Sequence, residues 1–325
     1  MPMPPSPSVL QRTIQSAFLV LCLHTGWRFY LFVLWATGSS PYFVPRPPSV
    51  EAFLPIAALM SLRRLLQTGA WDMVHPAGLT IFLAAIATAL VLRKGFCGYV
   101  CPVGLASGML NALGRRLSLS RVPGPWIARL LAAPKYLGLG FFLFTIFIGM
   151  DLRSLEQFAN APYNYVADAR MLNFFLHPTR ATLLALGVLL VLGTFLRSFW
   201  CRYLCPYGAL LGLFSWLSPT RVHRDADACV HCGRCTDACP GCIRVQDLER
   251  VLSPECLGCM RCREACPVAG CITVRTAGRT IPVWAAGAGA LAVMLGAWLL
   301  ALAAGLWHQN VPLAMLQRFY RMFLE

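Results

Sequence analysis

The chain has 325 residues, 58% of them hydrophobic and only 13% charged, and its formal net charge is +15. Soluble domains carry roughly a quarter charged residues, so the main body of this chain is not a soluble globular domain. The basic residues stand in loops beside apolar runs rather than on one face, which is the pattern of membrane orientation and argues against nucleic-acid binding.

In chain order, the N-terminal stretch MPMPPSPSVLQRTIQSAFLV carries one basic residue, Arg12, and no small-residue cleavage site follows its apolar run. It reads as a retained first helix rather than a cleaved signal peptide. A first span is expected over residues 13–36, with His24 and Arg28 four residues apart on one face. Segment 37–72 starts Pro-rich and continues as VEAFLPIAALMSLRRLL. Pro55 and the Arg63–Arg64 pair break this stretch, so it is expected to lie along the membrane surface. The second span, 74–92, opens on His75-Pro76, Pro being favoured in a first helical turn, and runs through Arg93-Lys94 into FCGYVCPVG. The loop to Lys135 holds seven basic residues and no acidic one. A third span covers 131–150, with Lys135 snorkelling to the interface. The loop 151–180 balances three basic against three acidic residues, and a fourth span, 179–199, follows His177-Pro178 and runs into WCRYLCPYG. A polar insert occupies 221–279, a fifth span 283–307, and a short tail ends the chain.

Positive loops stay in the cytosol, so the 93–135 loop orients the molecule. The N-terminus, that loop and the insert are expected inside; loops 37–72 and 151–178 and the C-terminus are expected outside. An internal repeat is also visible. His75-Pro76 precedes Cys97 by 22 residues and His177-Pro178 precedes Cys201 by 24, while LRKGFCGYVCPVG aligns with LRSFWCRYLCPYG. Spans one–two and three–four are thus two copies of a helical pair, each ending in Cys-x3-Cys-Pro, and the fifth span stands alone.

The insert carries the strongest signal: ACVHCGRCTDACP and ECLGCMRCREACP each hold Cys-x2-Cys-x2-Cys-x3-Cys-Pro. This is the spacing of two-cluster iron–sulfur ferredoxins, whose fourth Cys ligates the other cluster. Cys229, Cys232, Cys235 and Cys266 are therefore assigned to one [4Fe–4S] cluster, and Cys256, Cys259, Cys262 and Cys239 to the second. Zinc sites, with two ligand pairs per metal, do not need this pattern twice. Cluster assembly requires reduced thiols, which independently puts the insert in the cytosol.

Cys97, Cys101, Cys201 and Cys205 form a second constellation. A Cys-x3-Cys pair puts both sulfurs on one helical face, and the following Pro ends or restarts the helix. Four such thiols would hold a further metal or cluster or act as redox thiols; simple packing at a helix end is the alternative. Cys22, Cys242 and Cys271 are expected to pack. His24 with Arg28, and His75 and His177, are the candidate quinol-site residues in or near the spans, since a His is a natural acceptor of quinol protons. Helix capping for His75 and His177, and snorkelling for Arg28, are the plain alternatives.

The expected fold class is an all-α transmembrane bundle of about five helices, two repeated pairs plus one, with a cytosolic two-cluster ferredoxin-like α+β insert. Residues 1–220 form the membrane domain with the two Cys-x3-Cys-Pro repeats, 221–279 the ferredoxin-like domain, and 280–325 the fifth helix and tail. With the paired FCGYVCP and WCRYLCP motifs and the double ferredoxin insert, residues 13–280 resemble the polyferredoxin-type membrane proteins of the NapH and NosR group. The resemblance implies a quinol dehydrogenase component of the cytoplasmic (inner) membrane, drawing electrons from the quinone pool with the Cys229–Cys266 clusters as carriers. A flavin- or haem-containing redox partner would then receive them. The fifth span departs from that group, and no flavin domain of the kind found in the nitrous-oxide members stands before Thr13. Two rival readings remain: a copper-reducing assembly factor, as in the related CcoG-type proteins, with the paired Cys-x3-Cys motifs handling the metal, and a redox-sensing membrane regulator.

Overall fold

The computed structural model describes residues 6–324; residues 1–5 and 325, the ends of the first and last expected domains, lie outside that range. Helix α1 (Pro7–Ala36) is followed by a 3-10 turn and α2 (Pro55–Thr68), then α3 (Pro76–Leu92). A π-helical turn, Phe96–Val100, leads into α4 (Pro102–Arg116), and α5 (Pro125–Phe144) ends in a second π turn. Three short helices follow, α6 (Leu152–Ala159), α7 (Pro162–Tyr165) and α8 (Ala167–Leu176), and then α9 (Arg180–Phe195). A third π turn, Trp200–Leu204, leads into α10 (Pro206–Ser215). The insert comprises β1 (Thr220–Arg224), α11 (Arg234–Asp237), α12 (Arg261–Ala265), β2 (Ile272–Thr276) and β3 (Arg279–Thr280); α13 (Ala285–Ala303) and α14 (Leu313–Leu324) complete the chain.

The α-helical membrane bundle and the small α+β insert agree with expectation. Among the described residues, α1, α5 extended to Gly149, and α13 are each long and apolar enough to cross a bilayer, and α8 with α9 qualifies only as a pair bent by 80°. Helix α3 has 17 residues, at the lower end of the roughly 17–25 that cross a bilayer. The second helix of each repeat has a marked ending. Arg93, at φ 62, terminates α3 in left-handed backbone, a conformation that a Cβ disfavours. Helix α9 gives way at Leu196 to a parallel bridge with Arg121, and Ser198 is again left-handed at φ 52.

Pro55 breaks the 37–72 segment as expected: the 3-10 turn Pro48–Phe53 ends before it and α2 restarts at it, where its missing N–H costs nothing. The helix stops at Gly69, whose φ of 71 suits glycine and whose N–H donates to the Leu65 carbonyl. The tail beyond 307 contains α14, which buries Leu316 and Tyr320 four residues apart.

The chain forms two compact units. The first comprises Met1–Leu19, Ala85–Leu139 and Leu186–Met294, the second Val20–Ala84, Gly140–Ala185 and Leu295–Glu325. The chain passes from one unit to the other inside α1, α3, α5, α9 and α13.

In the first unit the insert's sheet has the order β1–β2–β3, all antiparallel, with Val222 opposite Val274 and Arg275 opposite Thr280. Alternation puts Val222, Ile272 and Val274 on the buried face. They share one core with Val245 and Val251 of the insert, with Ile14, Leu92, Ala286 and Ala290 of the membrane helices, and with Tyr99 of the π turn after α3. The ferredoxin fold is therefore packed on helix ends rather than tethered by a linker.

The second unit has its own core, in which Phe29 and Phe32 of α1 meet Val50, Val166, Leu316 and Tyr320.

Candidate functional site

The insert's two cysteine motifs each wall a cavity. One is lined by Cys229, Cys232, Cys235 and Cys266, with Cys271 beside them. The other is lined by Cys239, Cys256, Cys259 and Cys262. Each cavity thus takes three cysteines from one motif and the last from the other. The backbone explains the inward turn. His231 and Gly233 in the first motif, and Gly258 and Met260 in the second, all have positive φ, between 49 and 77. These left-handed residues curl each loop around its cavity, and α11 and α12 then carry Cys235 and Cys262. A non-glycine residue pays for this conformation, so His231 and Met260 are positions the sequence alone does not flag.

Thiolates on a single zinc ion sit about 3.8 Å apart, given Zn–S bonds near 2.3 Å. Among the described residues, no group of three or more His, Cys, Asp or Glu is gathered closely enough to hold one metal ion. Four cysteines spread around a cavity fit a multi-iron cluster instead, and the donor set is the all-thiolate one such clusters take.

The two Cys-x3-Cys-Pro repeats fold alike. In each, the first Cys lies in the π turn, the second ends it in extended backbone (Cys101 φ −67, ψ 122; Cys205 φ −74, ψ 107), and the Pro starts the next helix. The single helical face expected for each pair is therefore replaced by a π turn with a restart. The four thiols lie within electrostatic reach of one another. Ser107 Oγ is 3.4 Å from Cys201 Sγ, and Gly208 N–H donates to Cys205 Sγ at 3.2 Å. Burial pushes the Cys97 and Cys201 thiols up, and Cys101 up to about 12.

Each repeat docks on the insert just after its second helix. The Lys94 N–H donates to the Cys256 carbonyl at 3.3 Å, and Tyr99 OH donates to the Gly258 carbonyl at 3.2 Å. A Cβ on Gly98 would meet the Leu257 carbonyl oxygen at 2.6 Å. From the second repeat, Arg197 donates to the Asp237 carbonyl at 3.1 Å and Ser198 Oγ to the Pro240 carbonyl at 3.2 Å. The first repeat therefore grips the second cysteine motif, and the second repeat grips the first. Under the first junction lie the ion pairs of Glu255 with Lys94, at 3.4 Å, and with Lys135. Burial alone would raise the Glu255 carboxyl, but the two ammonium groups hold it below its ordinary range.

The quinol-site candidates part company. His24 and His177 are exposed, and Arg28 is half-buried on α1. His75 alone is buried, at 2% exposure. Its Nε2 donates to the Asn164 carbonyl at 2.8 Å and its Nδ1 lies 3.8 Å from Glu51. Glu51 pairs with Arg46 at 2.7 Å, Arg46 with Asp168 at 2.6 Å, and Tyr320 OH donates to Asp168 at 2.9 Å. Two carboxylates face one guanidinium, so a protonated His75 would balance the set. The capping role falls not to His75 but to Asp72, which accepts from the Val74 and His75 N–H groups at 2.8 and 3.2 Å. This network, spread over positions 46 to 320, has no signature in any local motif.

Membrane-length helices, a ferredoxin insert with two cysteine-walled cavities and a repeated thiol turn define a membrane-spanning [4Fe–4S] electron-transfer protein. Comparison with known proteins agrees. A family model described as "4Fe-4S binding domain" matches twice, at residues 74–120 and 180–224, and one described as "4Fe-4S dicluster domain" matches 221–267. The double match falls on the two halves of the repeat. The "Putative electron transport protein YccM" of Escherichia coli is 37% identical over 93% of this chain and 87% of its own length. The "Ferredoxin-type protein NapH" of the same organism is 25% identical over 71% and 74%. The "Regulatory protein NosR" of Pseudomonas aeruginosa is 32% identical over 52% of this chain, but over only 24% of its own length. No solved structure matches. The chain belongs to the polyferredoxin-type membrane family that includes the NapH, NosR and NirI proteins.

Proposed function

We propose that this protein oxidises quinol and passes the electrons through its two [4Fe–4S] clusters to a flavin- or haem-containing redox partner of a respiratory chain. Cys229, Cys232, Cys235 and Cys266 would hold one cluster, and Cys256, Cys259, Cys262 and Cys239 the other. The clusters supply reversible one-electron storage, and the chain supplies ligation, burial and nearby dipoles, which set potential. The observation that carries this reading is the direct seating of the second cysteine motif on the π turn after α3. A soluble ferredoxin has no use for such a junction, whereas an electron carrier fed from the membrane needs one. Orientation follows the positive 93–135 loop, with the insert inside and the C-terminus outside.

The test is anaerobic: the purified chain is loaded with iron and followed by electron paramagnetic resonance during addition of a reduced quinol analogue, then dithionite. Cluster signals are expected with the quinol alone. Signals appearing only with dithionite would end the quinol reading.

A second reading, reduction or delivery of a copper ion, draws on the electrostatic coupling of Cys97, Cys101, Cys201 and Cys205, which would have to close in to share one ion. Copper retained by the wild type and lost on replacing Cys97 and Cys201 by Ser would favour it. Iron above about eight per chain, lost by the same variant, would favour a further cluster at these thiols.

A further inference from the structure

The sheet of the insert has one charged side. Its inner face walls both cysteine cavities: Val222 lines the one that holds Cys256, and Ile272 the one that holds Cys229. Side chains alternate along a strand, so Arg221, His223, Thr273 and Arg275 stand on the outer face. The register sets Arg221 directly opposite Arg275, and His223 opposite Thr273. Beyond β1 an isolated antiparallel bridge puts Arg250 opposite His223, and beyond β2 Thr280 stands opposite Arg275. The outer face is therefore three arginines and a histidine among threonines.

Nothing within the sheet offsets this charge. Like charges directly opposite on neighbouring strands are destabilising, with Cβ atoms only about 4.5–5.5 Å apart. Among the described residues, none of Arg221, Arg250 and Arg275 forms an ion pair. Arg221 donates to the Ser218 and Trp216 carbonyls, at 3.3 and 3.4 Å, while Arg250 and Arg275 are exposed. Partial burial, then Arg275, Arg250 and Arg221, hold the His223 imidazole below its ordinary range, as expected for a ring among guanidiniums. The neighbouring acids are engaged or turned away. Asp247 pairs with Arg244 at 2.8 Å, and Glu249 alternates with Arg250 onto the opposite side, opposite Arg224.

We infer that this outer face docks an acidic redox protein. The docking face rests on the electron-transfer reading above and gives the partner a charge and a seat. A protein seated there is separated from both cavities by a single layer of sheet. Complementary charge speeds encounter and fixes orientation more than it adds affinity, which suits a carrier that must leave again. The face holds no apolar side chain, whereas surfaces that rest on a bilayer combine basic groups with apolar ones. That difference favours a soluble acidic partner over anionic lipid.

The test uses the full chain with its clusters in a neutral detergent. The probes are flavodoxin, an acidic flavin protein, and cytochrome c, a basic haem protein, each titrated at low salt. Wild type should bind flavodoxin, more weakly as salt rises, and should not bind cytochrome c. Arg275→Glu should weaken flavodoxin binding at least about tenfold. The same change should raise Tm, because it turns the Arg221–Arg275 repulsion into an attractive cross-strand pair; an arginine with a purely structural role would lower it. Arg250→Glu should also weaken binding. Arg279→Glu, placed opposite Thr276 and so on the other side of the ladder, should bind as wild type. Unchanged binding by Arg275→Glu and Arg250→Glu, or equal binding of cytochrome c, overturns the docking face. So does capture of phosphatidylglycerol vesicles in place of flavodoxin, if the same two variants lose it. Clusters still reduced by quinol in those cases keep the quinol reading. Clusters that quinol leaves oxidised, with the expected binding pattern intact, end the quinol reading alone.

Discussion

Cys239 and Cys266 close the cavities built by the motif to which they do not belong, so single substitutions separate the two sites. Cys239→Ala should lower iron from about eight to about four per chain and remove one of two cluster signals. Cys242→Ala, two residues past Pro240 and lining neither cavity, should leave both. At the junction beneath the second motif, Glu255→Gln strips Lys94 and Lys135 of their shared carboxylate. Loss of one member of a buried pair costs about 3–5 kcal/mol, and thermal unfolding should register it as a large drop in Tm. The same reasoning applies to Asp168→Ala, which leaves the Arg46 guanidinium, with only 4% of its side chain exposed, facing Glu51 alone. The eight insert cysteines were readable because their spacing is rigid. The Arg46–Glu51–Asp168–Tyr320 set was not, since its members share no motif and meet only through the fold.

The repeated element is a short helix, a π turn and a restarted helix. Its two copies were legible as aligned strings, LRKGFCGYVCPVG and LRSFWCRYLCPYG, but the π turn was not, because an i to i+5 register leaves no periodic mark in five residues. The left-handed endings at Arg93 and Ser198 were equally hidden, since neither is the glycine that usually announces such a residue. Gly98 is the element's tightest contact with the insert. Gly98→Ala puts a methyl group against the Leu257 carbonyl, and overpacking of this kind costs about 1–3 kcal/mol. The expected outcome is a chain that still inserts in the membrane but loses its second cluster more readily to a chelator, as followed by the visible absorbance of the clusters. Gly108→Ala, with nothing within 4 Å of the added carbon, is the control.

At the scale of the molecule, every segment expected inside (the N-terminus, loop 93–135 and the insert) falls in the first unit, and loops 37–72 and 151–178 and the tail fall in the second. Their sides are proposed from charge asymmetry, the positive 93–135 loop staying inside. Alkaline phosphatase fused after Gly278 should therefore be inactive, and fused after Leu306 active; the reverse pattern would invert the orientation. What the sequence could not supply was the internal furnishing of the second unit, where α14 and the α6–α8 helices replace what read as loops. One consequence of the crossed cavity walls concerns how the molecule is put together. Since each cavity borrows a side chain from the other half of the insert, neither half is a finished receptacle by itself, and filling either one ties both halves together. The two act as reciprocal clasps. A single cut after exposed Arg250 should leave the filled protein whole on a native gel and let the emptied insert spring open, so that a protease can tell which molecules in a preparation have completed their biogenesis.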